Sequence, residues 1–183
     1  MDNWNPRPLD PGMIKLHRRG KGAPLVLILC LGMIDKLVLA DCTPRYIDEA
    51  RANWPVRAKA ARDNGVASLI PMLMKVFFTQ DSLDANTDDV QFVRRTFDAC
   101  SGEGYALACE ALATVDAREQ AKHIAAPTLI LCGSNEGQPF KDAAKWMHET
   151  ISGSELITVP GAGHASVRER PAFVIDQLRA FLG

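Results

Sequence analysis

The sequence predicts an α/β fold in which a parallel sheet is interrupted by a long helical insert. Three observations lead there. Short, almost wholly apolar runs at 25–31 (LVLILCL), 37–40 (LVLA) and 128–132 (TLILC) have the length and character of strands covered on both faces. Between 44 and 126 no strand signal of comparable strength occurs, and apolar residues recur at helical spacing. After residue 126 strand and helix alternate again. The chain has 183 residues with 47% apolar and 23% charged side chains, an ordinary globular balance with enough length to bury a core.

Along the chain, residues 1–12 carry three prolines and no periodicity, and read as a loose N-terminal extension. Residues 13–19 (MIKLHRR) alternate apolar and polar, as a half-buried strand does, and Gly20-Lys21-Gly22 is a turn signal. In the insert, Thr87 ahead of Asp88 and Asp89 is an N-cap followed by first-turn acids, with Val90, Val93 and Phe97 on one face. Tyr105, Ala108, Cys109 and Leu112 mark another helix. Residues 138–151 are a helix candidate, and 156–159 (LITV) a strand of the covered kind. The last helix opens near Pro171 and carries Val174, Leu178 and Phe181 on one face. The expected division is an extension at 1–12, a core from 13–43 and 127–183, and a helical cap at 44–126.

Composition narrows the function classes. Lys and Arg total 21 against 22 Asp and Glu, a net charge of −1, so no basic field exists to hold a nucleic acid. The longest apolar run, 23–34, is shorter than the ~20 residues a bilayer span takes, and residues 1–6 show no secretory pattern. Five cysteines (30, 42, 100, 109 and 132) form an odd set without CxxC, which fits a reducing cytoplasm and thiols used as small core residues. His17, His123 and His148 have no metal-ligand partner at suitable spacing, so no metal is expected.

In parallel α/β sheets, sites lie beyond the carboxyl ends of strands. Four candidates sit there. His164, in Gly161-Ala162-Gly163-His164, follows the 156–159 strand and is placed as a general base. Glu136 follows the 128–132 strand and offers a carboxylate to hold the imidazole tautomer. Asp41, past the 37–40 strand, is a second candidate acid, although an N-cap or turn role ahead of Pro44 fits it better. Leu29-Cys30-Leu31-Gly32 ends the first apolar run with a glycine, which lets backbone amides face a developing oxyanion.

The order of strand, LxLG turn, helical insert, PTLIL strand (127–131), strand-end acid, GAGH and closing ExP helix (Glu169-Arg170-Pro171) resembles the α/β-hydrolase fold. It is most similar to the 3-oxoadipate enol-lactonases. GYALACEAL at 104–112 is the part most specific to those lactonases. The resemblance extends over nearly everything after Met13. It implies a triad order of nucleophile, acid and histidine, with His164 as the histidine, Glu136 at a position where the family mostly has Asp, and Leu31 as an oxyanion-hole amide. It also implies a small lactone or ester substrate in aromatic catabolism, no cofactor, and leaves a homo-oligomer open.

The departure from the family is the nucleophile: G-x-S-x-G occurs nowhere in the sequence. Ser134 is wrongly placed for an elbow, and Ser166 reads as helix initiation. In the family, two further βα units separate the strand like 25–31 from the strand like 37–40, on the order of 60–90 residues at ~30 per unit. Here a short stretch beginning Gly32-Met33-Ile34-Asp35 intervenes. A handful of residues reaches at most about 17 Å, too little for a parallel crossover. Three readings follow: a hydrolase lineage with little or no turnover, a non-catalytic binding or dimerisation module lined by Trp54, Phe77, Phe78 and Phe92 (aromatics that fit the core of the cap better), or a deletion relic. Arg94 and Arg95 fit a solvated helix face better than a substrate contact.

Overall fold

The computed structural model describes residues 35–183. The expected extension at 1–12, the strands at 13–19 and 25–31, Cys30, Leu31 and most of the short join therefore lie outside the described residues.

Three strands, β1 (Leu37–Ala40), β2 (Thr128–Gly133) and β3 (Ser154–Val159), form a parallel sheet in the order β1-β2-β3. The register pairs Leu37 with Thr128 and Ala40 with Leu131, then Thr128 with Ser154 and Gly133 with Val159. Every residue of β2 is buried, as its unbroken apolar run requires of a strand covered on both faces. Alternation sorts its side chains into two layers. Ile130 and Cys132 join Leu37, Leu39, Ala144, Met147 and Ile151 on one side. Leu129 and Leu131 join Val159, Ala162 and Val174 on the other. The first layer is closed by α7 (Gln138–Thr150), the second by α9 (Pro171–Leu182). β3 departs from expectation. Its burial is mixed, with Glu155 and Thr158 exposed, because among the described residues it pairs with β2 alone.

Between β1 and β2 the chain is helical: α1 (Asp48–Asn64), a 3₁₀ turn (Val66–Leu69), α2 (Ile70–Phe77), α3 (Gln80–Ala85), α4 (Asp88–Asp98), α5 (Gly102–Thr114) and α6 (Arg118–Ala121). α1 and α5 pack through Ala58, Ala106 and Cys109. They approach so closely that a Cβ on Gly102 would lie 2.4 Å from the Ala61 carbonyl oxygen. Ile70, Met74, Phe78, Val90 and Val93 join α2 to α4. Thr87 caps α4 by accepting the Val90 N–H at 3.3 Å, as its spacing predicts. No helix of the described residues is long and apolar enough to cross a membrane.

Candidate active site at the carboxyl ends of β2 and β3

Two loops leave the sheet side by side. The first, from Gly133 to Gly137, joins β2 to α7 and carries Glu136. The second runs from Pro160 to Ala165 and carries His164 towards α8 (Ser166–Glu169). They interlock through the main chain. Ser134 N donates to Val159 O at 2.9 Å, Asn135 N to Ala162 O at 2.8 Å, and Gly161 N to the Ser134 hydroxyl at 2.8 Å. Gly133 is required here, since a Cβ would sit 2.3 Å from Gly163 O and 2.4 Å from Ala162 O.

This arrangement brings the two residues together. Nδ1–H of His164 donates to Oε2 of Glu136 at 2.6 Å, while Oε1 of Glu136 accepts the Gly137 N–H at 2.7 Å. Glu136 is only 7% exposed, so its oxygens are satisfied by these donors rather than by water. With Nδ1 protonated towards the carboxylate, the other ring nitrogen keeps its lone pair, the tautomer a base needs. Two rings wall the imidazole: Phe77 edge-on at 5.2 Å and Phe140 tilted at 4.7 Å. Beside it opens a cleft of about 630 Å³ lined by Lys75, Phe78, Thr79, Asn135, Phe140 and His164 among others. The volume falls within the range of small-molecule pockets.

Other candidates land differently. Asp41 does not cap a helix or make a turn ahead of Pro44. Its carboxylate accepts from Gly133 N at 3.1 Å and Ser166 N at 3.0 Å, and from the Ser166 hydroxyl, so it spans β1, β2 and α8. Ser166 does begin α8, but its hydroxyl goes to Asp41 rather than to a helix amide. Among the described residues, no serine or cysteine hydrogen-bonds to the His164 ring, and no three His, Cys, Asp or Glu side chains gather as a metal site. Burial pushes the thiols of Cys42 and Cys132 up to about 12 and about 11, which suits inert core positions. Phe92 is 47% exposed and meets the Arg168 guanidinium, so it is neither cleft nor core. Trp54 packs on Tyr46, whose ring leads on to Phe140. Arg94 and Arg95 are exposed.

One site residue went unread in the sequence. Glu169 clamps the insert onto the His164 loop. Its Oε1 accepts from Thr79 N at 2.9 Å and the Thr79 hydroxyl at 2.6 Å, and from Ser82. Its Oε2 accepts from Gly163 N at 2.6 Å. Burial alone would raise its carboxyl, but the donors from Ser82, Thr79 and Gly163 together hold it below the ordinary value. The ExP motif gave its position, and nothing local gave its partners.

The chain is similar in sequence to two proteins of Acinetobacter baylyi. It is 31% identical over 134 residues to 3-oxoadipate enol-lactonase 2, covering 73% of this chain and 49% of that protein. It is 31% identical over 130 residues to 3-oxoadipate enol-lactonase 1, covering 70% and 48%. In structure it is similar to the enol-lactonase from Burkholderia xenovorans LB400, with a TM-score of 0.76 and 26% identity over 81% of this chain and 56% of that one. No family model matches. The chain spans about half the length of the curated relatives it matches.

Proposed function

Because the chain belongs to the α/β-hydrolase fold family, in incomplete form, we propose that it carries the acid–base pair of a lactone or ester hydrolase of the enol-lactonase kind, without the nucleophile. The observation that carries this reading is the 2.6 Å bond between His164 and Glu136 at the ends of adjacent parallel strands, beside a cleft of small-molecule size. His164 is the base, Glu136 orients it and stabilises the imidazolium, and the Leu31 amide is the oxyanion donor. The substrate is a small lactone or ester from aromatic catabolism, handled in the cytoplasm without a cofactor. Residues 13–43 and 127–183 form the core and 44–126 the cap.

In the complete chemistry that the resemblance implies, a serine oxygen attacks the lactone carbonyl and gives its proton to the imidazole. The ring C–O bond breaks to an acyl-enzyme, which water then hydrolyses. G-x-S-x-G is absent from the sequence, so the imidazole has only water to activate. The water oxygen then bonds to the carbonyl carbon as its proton passes to His164, the ring C–O bond breaks, and the departing ring oxygen takes that proton. Turnover is therefore expected near the background of buffer. Purified chain assayed on an enol-lactone and on p-nitrophenyl acetate tests this. Hydrolysis at ordinary enzyme rates, abolished in His164→Ala, would refute it. A second reading, favoured by the same cleft, is ligand binding without turnover. It predicts binding of a lactone that survives His164→Ala.

A further inference from the structure

Asp41 adopts a left-handed backbone conformation just past the end of β1. Its φ is +47°, the left-handed region that few residues other than glycine adopt. Its two carboxylate oxygens are divided between separate elements. Oδ1 accepts the Gly133 N–H, where β2 turns towards Glu136. Oδ2 accepts the N–H and hydroxyl of fully buried Ser166, two residues beyond His164. It makes no hydrogen bond to the imidazole itself. A left-handed residue whose carboxylate is divided between the two site loops is placed to fix their spacing. We propose that Asp41 is a positioning residue: it sets the spacing of the two loops that bring Glu136 and His164 into register. This rests on the reading of His164 and Glu136 as a working pair.

Burial pushes the Asp41 carboxyl up to about 6, against the Ser166 hydroxyl, the amides of Gly133 and Ser166, and the pull of the His164 ring. Among the described residues, the other titratable groups facing it are Cys42 on the following residue and Cys132 on β2, whose raised thiols stay neutral through this range. The carboxyl is therefore about half ionised near pH 6 and largely charged at neutral pH. Asparagine cannot replace it. An amide side chain has one acceptor oxygen and one NH₂, so either flip would set a donor against the N–H of Gly133 or of Ser166.

The test follows the proton between His164 Nδ1 and Glu136 by NMR in the full chain, wild type against Asp41→Asn and Ser166→Ala, with thermal unfolding alongside. In Asp41→Asn this proton is expected to exchange with water about fivefold faster at neutral pH, the factor of one lost hydrogen bond, while Tm there is unchanged or higher. Ser166→Ala should show a smaller change in the same direction, and it serves alone if Asp41→Asn does not fold. Wild-type exchange rates in both variants would overturn the proposal. So would a Tm loss in Asp41→Asn that is equal on either side of about pH 6, the mark of a purely structural tie. Absence of the shared proton from the wild type would instead overturn the pairing of His164 with Glu136.

Discussion

The loops at 133–137 and 160–165 are bound to each other by main-chain bonds of 2.8–2.9 Å, with Asp41 and Glu169 tying their backbone to β1 and to the insert. The insert is assembled otherwise. α1 and α5 meet through Ala58, Ala106 and Cys109, and their polar link is the solvent-facing pairing of Arg62 with Glu103 and Glu110. Directional bonds fix atoms to within tenths of an ångström, whereas apolar packing fixes volume and tolerates adjustment. The region that holds the His164–Glu136 pair is accordingly the one built from directional bonds.

The sharpest way to break this comparison uses glycine. Gly133→Ala, with its Cβ driven into two carbonyl oxygens, should abolish soluble folded protein or sever the His164–Glu136 bond. Gly104→Ala in α5, where the nearest side-chain atom is 3.5 Å away, should leave circular dichroism and Tm unchanged or slightly improved. Equal tolerance at both positions would contradict the account. Next in size, Leu73→Ala in the insert, at 2% exposure, should cost about 2–5 kcal/mol in a denaturant titration while the His164–Glu136 proton signal persists.

The two tying carboxylates should respond to pH in opposite senses. Asp41 has its folded value raised from 3.8 to about 6, so the folded state holds the proton more tightly. Its contribution to stability is full below 3.8 and declines as pH rises to about 6, by at most about 3 kcal/mol. Glu169 is lowered from 4.5, so its contribution is present above 4.5 and lost as pH falls through its folded value. Denaturation curves between about pH 3 and 8 for Asp41→Asn and Glu169→Gln should each remove one limb of this dependence. Smaller still, Thr87→Ala should cost about 1 kcal/mol through the lost cap. Arg62→Ala, at a pair facing solvent, should leave Tm within experimental scatter.

What could be read from sequence follows the same divide. β2, α7 and α9 are visible because burial imposes unbroken or periodic apolar residues on local sequence, and Thr87 because a cap acts three residues away. The exposure of β3 depends on which strands flank it, and no residue of LITV encodes that. His164 and Glu136 were legible as strand-end residues in a parallel sheet, 28 positions apart yet one hydrogen bond from each other. The roles of Asp41 and Glu169 were not, because their partners lie up to 125 and 90 positions away and are chosen by the fold alone. A short polar side chain three residues before a proline looks the same whether it caps a turn or crosses a sheet.

The central claim, a base and its orienting acid without an attacking side chain, is tested most directly by covalent labelling. The chain would be incubated with a fluorophosphonate at neutral pH and its intact mass measured. The account predicts an unchanged mass. A single stoichiometric adduct on one serine or cysteine, lost in His164→Ala, would contradict it.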